Sequence, residues 1–285
     1  MASPLVPVLD DLAFAEGPRW HDGRLWFSDM HSHVVQALDP TSGDVETVVE
    51  VPGRPSGLGW RPDGTLLVVS MTDRRLLSFI GGTLEEVADL SSVAAFDCND
   101  MVVDARGNAY VGNFGFDLHD PDADQCTTTL ALVTPDGDVR AVADDLFFPN
   151  GAVITPDGAT LIVGESFGGA LTAFDVGPDG SLSGRREWAR VRGAVPDGIC
   201  LDADGAIWMA SPISNQVLRV AEGGEVLDEV RTSEERQPFA CMLGGEDRTS
   251  LFVCTAIDSE PDSCRRRRAG RIEMSEVDVP GAGLP

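Results

Sequence analysis

Six times along the chain a short strand, a tight turn and a second apolar strand recur, and this repeat constrains the fold more than any other feature of the sequence. The copies are GPRWHDGRLWFSDM from Gly17, SGLGWRPDGTLLVVSM from Ser56, NDMVVDARGNAYVGNF from Asn99, NGAVITPDGATLIVGES from Asn150, DGICLDADGAIWMASP from Asp197 and a degraded FACMLGGEDRTSLFVCTA from Phe239. Asp22-Gly23, Asp63-Gly64, Arg106-Gly107, Asp157-Gly158 and Asp204-Gly205 mark the turns, the signature of a hairpin. A second alternating pair follows, as in VVQALDPTSGDVETVVEV from Val34, LALVTPDGDVRAVADDL from Leu130 and QVLRVAEGGEVLDEV from Gln216, so each repeat predicts four strands. Six repeats in 285 residues allow about 47 residues each, the length of a propeller blade.

The expected fold is therefore all-β, one six-bladed propeller domain over residues 1–285 with four-stranded antiparallel blades. After RIEMSEVDV from Arg271 no sequence remains for a fourth strand in the last blade. The N-terminal LVPVLDDL resembles the outer strands VETVVEV and VRAVADDL, so Leu5 to Leu12 is expected to complete the sixth blade and close the ring.

Composition restricts the partners. With 47 acidic and 21 basic residues the net charge is −26, a field that repels nucleic acid and anionic lipid. The basic run Arg265 to Arg268 reads as a solvated loop. No basic leader with a long apolar core and no run of 18 apolar residues appears, so the expectation is a cytoplasmic protein acting on a small molecule. Cys98, Cys126, Cys200, Cys241, Cys254 and Cys264 form no C-x-x-C pair and read as reduced, mostly buried thiols. The oligomeric state is not specified.

Aligning the repeats on their turns places Glu16, Ser56, Asn99, Asn150, Asp197 and Phe239 at equivalent starts of the first strand, the strand that lines a propeller's channel. Glu16, Asn99, Asn150 and Asp197 thus converge from four blades as two carboxylates and two amides. This is a hard-oxygen set of charge −2, suited to one divalent cation: Ca²⁺ first, with Mg²⁺, Mn²⁺ or Zn²⁺ as alternatives. So few protein ligands leave positions open for water and substrate, and an ion that merely plugs the channel is the competing reading.

Loops joining the second and third strands rise on the same face, bringing His31 and His33 from the first blade and His119 from the third as substrate contacts. The third loop also carries Asp117, Asp120, Asp122 and Asp124 as a lid, and the segment from Asp258 to Arg268 does the same in blade six. Glu165 and Ser166 point toward this rim. Ser56 and Phe239 are expected as pocket wall. No G-x-S-x-G elbow supports a serine nucleophile.

At AEGPRW around Glu16, NDMVVDARGNAYVGNFG from Asn99, PNGAVITPDGATLIVGES from Pro149 and PDGICLDADGAIWMAS from Pro196, the chain resembles the senescence marker protein, gluconolactonase and regucalcin family. Those proteins are six-bladed propellers that hydrolyse lactones with a divalent metal, and the resemblance covers nearly the whole chain. It implies that Glu16, Asn150 and Asp197 bind the metal, with Asn99 a fourth ligand or a substrate contact. Asp197 would serve also as the base or as the attacking nucleophile. Asp100 would support the Asn99 side chain or shape the strand start. Sugar-lactone members tend to carry arginine two positions before Asn99 to grip substrate hydroxyls. This chain has Asp97 there, which weakens the case for gluconolactone itself. The implied function is a lactonase using metal-polarised attack of water. The alternatives are a phosphotriesterase-like or other ester hydrolase at the same metal, or a non-catalytic propeller that binds a ligand or partner, with a metal-free strictosidine-synthase-like activity the weakest.

Overall fold

The computed structural model describes residues 2–233 and 235–284. Its strands form six four-stranded antiparallel sheets. Blade one holds β2 (Ala15–His21), β3 (Arg24–Asp29), β4 (Val34–Leu38) and β5 (Val45–Glu50); blade two β6 (Pro55–Trp60), β7 (Leu66–Ser70), β8 (Arg75–Ile80) and β9 (Thr83–Asp89). Blade three holds β10 (Cys98–Val103), β11 (Ala109–Asn113), β12 (Thr128–Val133) and β13 (Val139–Leu146); blade four β14 (Pro149–Ile154), β15 (Thr160–Glu165), β16 (Ala170–Val176) and β17 (Leu182–Ala189). Blade five holds β18 (Ile199–Leu201), β19 (Ile207–Ser211), β20 (Gln216–Val220) and β21 (Val226–Arg231). Blade six orders β22 (Gln237–Gly244), β23 (Ser250–Ala256) and β24 (Gly270–Glu276) with β1 (Val6–Leu12) outermost.

The first strands β2, β6, β10, β14, β18 and β22 each pack on the next, and β22 returns to β2, so the blades form a closed ring. Closure is as the sequence predicts: β1 runs antiparallel to β24, with Val6 opposite Met274 and Leu12 opposite Gly270. All six cysteines are free, so hydrogen bonds and burial join the N-terminal strand to the last blade without a covalent link.

Blades stacked face to face cover both sides of each sheet, and this sets where the apolar residues go. The second strands β7, β11 and β19 are buried at every position, whereas outer β5 is largely exposed. The core accordingly lies in layers between neighbouring blades, as where Val102, Tyr110 and Leu132 of blade three meet Ala152, Leu161 and Val163 of blade four. In the first hairpin Asp22 and Gly23 both take left-handed φ, 48° and 75°, the two-residue turn that their dipeptide favours.

One segment departs from expectation. The run Arg265 to Arg268 is the end of a helix, α1 (Pro261–Arg267), and its cap rather than a loop. Glu260 caps the helix N-terminus through Asp262 and Ser263 N–H, and the arginines sit at the end that favours cations. Arg265 pairs with Asp262, Arg267 with Asp258 and Arg268 with Asp11, which neutralises much of the run. The C-terminal tail also has a structural role. Leu284 bridges Ile154, Gly281 bridges Asp202, and Gly281 N–H donates to Arg248, so the tail stitches blades four, five and six at the ends of their first strands away from the site. Among the described residues no helix is long and apolar enough to cross a membrane.

Removing residues 2–12 uncovers the edge of β24 and takes the buried Leu12 out of the core it shares with Ile272. We expect a loss of roughly 3–5 kcal/mol in stability, the scale of emptying a strand's worth of core contacts. Thermal unfolding and light scattering check this, and an unchanged melting temperature with no association would count against β1 as the closure.

Candidate active site

In the first strand of five blades the pairing register slips at the channel position: Glu16 to Arg19, Pro55 to Leu58, Cys98 to Met101, Pro149 to Ala152 and Pro238 to Ala240. Such a bulge turns a side chain out of the plain alternation, here toward the axis. In blade five Asp197 precedes β18, and its N–H donates to Ala210 of the second strand. Glu16, Asn99, Asn150 and Asp197 come together at the floor of one cavity.

Hydrogen bonds fix the amide of Asn150. The Ser166 hydroxyl donates to the Pro196 carbonyl at 2.7 Å, so toward Asn150 it can only accept, and the Asn150 Nδ2 donates to it at 3.2 Å. The same Nδ2 donates to Asp197 Oδ1 at 2.5 Å. The Asn150 carbonyl oxygen is therefore the atom left for a cation. Asn99 is held more loosely: its Nδ2 reaches the Pro149 carbonyl at 3.5 Å and its Oδ1 accepts from Ser56 Oγ at 3.4 Å.

The two carboxylates are hard to ionise as they stand. Burial, reinforced by the Asp100 charge, pushes Glu16 up to about 8 against the help of the Gly17 N–H. Burial and then the Glu16 charge hold Asp197 well above the ordinary carboxylate range, although Asn150 opposes the shift. Among the described residues no group of three or more His, Cys, Asp or Glu side chains is placed to hold a metal ion by itself. A cation here would thus be held by two carboxylates and by amide oxygens, the donor set read from the sequence.

Asp100 does not support Asn99. Its Oδ1 accepts from Arg19, a guanidinium only 3 % exposed that also donates to the carbonyls of Pro18, Leu58 and Met101. This clamp joins blades one, two and three beneath the site, and nothing in the local sequence around Asn99 signals it.

The cavity holds about 540 Å³ of space including its open mouth. Of the expected substrate contacts, Asn99, His31, His119 and Phe239 line it. Three others lie elsewhere. Ser56 sits behind Asn99, His33 turns its Nδ1 to the Pro52 carbonyl at 2.9 Å, and Asp97 lines an adjoining outer recess with Asp117 and Arg265. Glu165 faces into blade four, taken up by Phe147 N–H, Thr172 and Arg185, because β15 ends there against β16. Asp117 and Asp120 accept the N–H groups of His119 and Asp122, so these acids fold the third loop, which delivers Leu118 and His119 to the cavity. The walls the sequence did not reveal are Phe14, Met30, Met71, Phe114 and Phe148, with Arg54 and Ser259 at the polar side. Arg54 had one available signal: it stands two residues before Ser56, the offset of Asp97 from Asn99 in the next repeat.

Residues 14–257 match the family described as SMP-30/Gluconolactonase/LRE-like region. The chain belongs to that family. It is 28 % identical over 278 residues to the 6-deoxy-6-sulfogluconolactonase of Pseudomonas putida, covering 95 % of this chain and 93 % of that one. It is 25 % identical over 274 residues to the regucalcin of Xenopus laevis, covering 92 % and 89 % respectively. The crystal structure of a regucalcin from Agrobacterium tumefaciens, described as a calcium-binding protein, superposes with a TM-score of 0.81 at 20 % identity over 99 % of this chain and 97 % of that one. The fold of this SMP-30/gluconolactonase-like protein is thus that of its structural neighbours.

Two outcomes follow for the site. Glu16 and Asp197 keep their protons to higher pH in the folded, metal-free protein than in the unfolded chain, so the folded state binds more protons from 4.5 to about 8. Its stability should fall as pH rises through that interval, and a divalent cation should restore stability most at the upper end; melting curves at several pH values, with chelator and with Ca²⁺, measure both. Arg19→Met should cost about 3–5 kcal/mol in denaturant unfolding, because Asp100 is left buried without its partner.

Proposed function

We propose that this protein is a divalent-metal-dependent hydrolase that opens a small lactone. The observation that carries the reading is the convergence of two buried, mutually repelling carboxylates with an amide whose carbonyl oxygen is set free by its own hydrogen bonds. Glu16, Asn150 and Asp197 would hold the cation, with Asn99 as the fourth oxygen donor or a contact to substrate. An all-oxygen set of charge −2 favours Ca²⁺, with Mg²⁺, Mn²⁺ or Zn²⁺ as alternatives. When bound, the cation supplies positive charge that polarises the lactone carbonyl and steadies the oxyanion.

The chain's own residues supply the rest. Asp197 takes the proton from the attacking water, and the Asn150 Nδ2 on its Oδ1 aims the other carboxylate oxygen away from blade four. Ser166, locked by Pro196, keeps Asn150 in that orientation. Arg19 balances the charge of Asp100 so that the floor does not carry three uncompensated acids. His31 is no general acid here. Burial pushes it down to about 4 and its Nε2 faces the Ser259 carbonyl at 3.2 Å, so near neutral pH it is uncharged with its proton on Nε2. The named lactonase of Pseudomonas putida supports the reaction class.

Asp197→Asn should lower kcat/KM on a lactone panel by at least about 100-fold while bound metal is largely retained. Glu16→Gln should lose metal as well as turnover, read by elemental analysis of the purified variant. Dialysis against chelator should abolish hydrolysis, and Ca²⁺ or another divalent ion should return it. Variants that keep both turnover and metal would sink the assignment.

A further inference from the structure

Above its polar floor the cavity is walled by Phe14, Met30, Met71, Phe114, Phe148 and Phe239, contributed by loops and strand starts from around the ring. Phe14 meets Phe239 edge-on at 4.7 Å, and Phe114 stacks on Phe148 at 4.5 Å. A polyhydroxylated lactone brings several hydroxyl groups, each of which loses water on entry and needs a partner. These walls provide almost none. Beyond the floor the polar lining is confined to His31, His119, Ser259 and Arg54, and His31, 3 % exposed, has its Nδ1 buried without a hydrogen-bond partner among the described residues. With Nε2–H given to Ser259, that Nδ1 is an acceptor for a single donor.

The remaining polar wall residue of permanent charge is Arg54. Its backbone is fixed by bonds to Val51 and Met71 at a left-handed φ of 64°, which presents the side chain from the loop before β6. The guanidinium makes no hydrogen bond or ion pair with the described residues, and its electrostatic neighbours are His31 and Asp97. Asp97 lies in the outer recess that Arg54 also borders, so Arg54 stands at the passage between recess and cavity. A guanidinium with five free donors beside a nonpolar chamber is a receptor for a carboxylate or sulfonate.

We propose that the substrate is an amphipathic anionic lactone, whose apolar ring or side chain fills the Phe and Met sleeve and whose carboxylate or sulfonate is bound by Arg54. This rests on the hydrolase reading above and narrows it. A sugar lactone whose only handles are hydroxyl groups fits the sleeve poorly. Arg54 serves specificity: it holds a group remote from the carbonyl under attack, and its loss acts mainly on KM.

The test is a two-by-two panel of δ-lactones hydrolysed by the metal-loaded protein: an alkyl- or aryl-substituted lactone and a sugar lactone, each with and without a terminal carboxylate. The expected order puts the charged apolar lactone first. Its kcat/KM should exceed that of its neutral counterpart by about 10- to 100-fold and that of the charged sugar lactone by about tenfold or more. Arg54→Gln should erase most of the advantage of charge through KM, and Arg54→Lys should restore part of it. Preference for the sugar lactones, or an equal effect of Arg54→Gln on charged and neutral members, would overturn the proposal. If no lactone turns over, the hydrolase reading fails, and calorimetry with phenylpropanoate and gluconate on the metal-loaded protein decides this one. Tighter binding of phenylpropanoate, lost in Arg54→Gln, upholds it; equal or reversed affinities, or binding indifferent to Arg54, refute it.

Discussion

Everything at the axis depends on how closely the six first strands approach one another. A methyl group on Gly198 would lie 2.4 Å from the Cβ of Ala240, and one on Gly151 would lie 2.6 Å from the Ile199 nitrogen, so neighbouring backbones touch where a side chain would stand. At that spacing the preceding residue of each strand has nowhere to go but into the channel. Glu16 and Asp197 are brought together and stripped of water by the same packing that closes the ring. Their raised affinity for protons is a measure of what that packing imposes, and a cation is the natural relief.

The third repeat breaks the rule of a small residue after the channel position, and the exception explains Arg19. Asp100 stands where other blades have glycine or alanine, which places a third carboxylate near two that already repel. Burial raises Asp100 as well, and the Arg19 guanidinium opposes that shift at a distance of 2.5 Å. Because Arg19 also satisfies carbonyls of Pro18, Leu58 and Met101, one side chain neutralises the acid and ties three blades together. A buried pair of this kind contributes little net stability in general, yet loss of one member is costly.

Blade number, ring closure by the N-terminal strand and the four floor residues were legible in the sequence because a repeat turns alignment into geometry. Equivalent positions of a ring must meet at its axis. What the sequence hid lies where no period operates. Arg19 and Asp100 are joined across blades at a separation of 81 residues, and Ser166, which the sequence places at the rim, has a bond to Asn150 that no spacing announces. His33, Ser56 and Asp97 stand outside the lining of this cavity for related reasons. A loop residue's direction depends on its own turn: His33 caps a single 3₁₀ turn with φ of 61° and faces outward, while His31, two residues earlier, faces in. The run of arginines reads as a loop in the sequence because its helix is only seven residues long, too short for an apolar period to show, and is defined by its Glu260 cap.

A chain of net charge −26 and an anionic ligand at Arg54 are physically compatible. Charges on the outer strands act through water and salt, and beyond about 8 Å at physiological ionic strength most of their repulsion is screened. At the cavity the terms are short-range and poorly screened, since the apolar walls exclude the water that would weaken them. There a cation held by Glu16 and Asp197 would cancel their charge. Arg54 would then leave the lining positive, with Asp97 in the outer recess tempering it. The long-range field therefore slows approach of an anion modestly, whereas the lining decides whether it stays. Selectivity of this kind would reside in one loop arginine rather than in the repeat, so a substitution there would alter it without disturbing the carboxylate floor that the ring fixes.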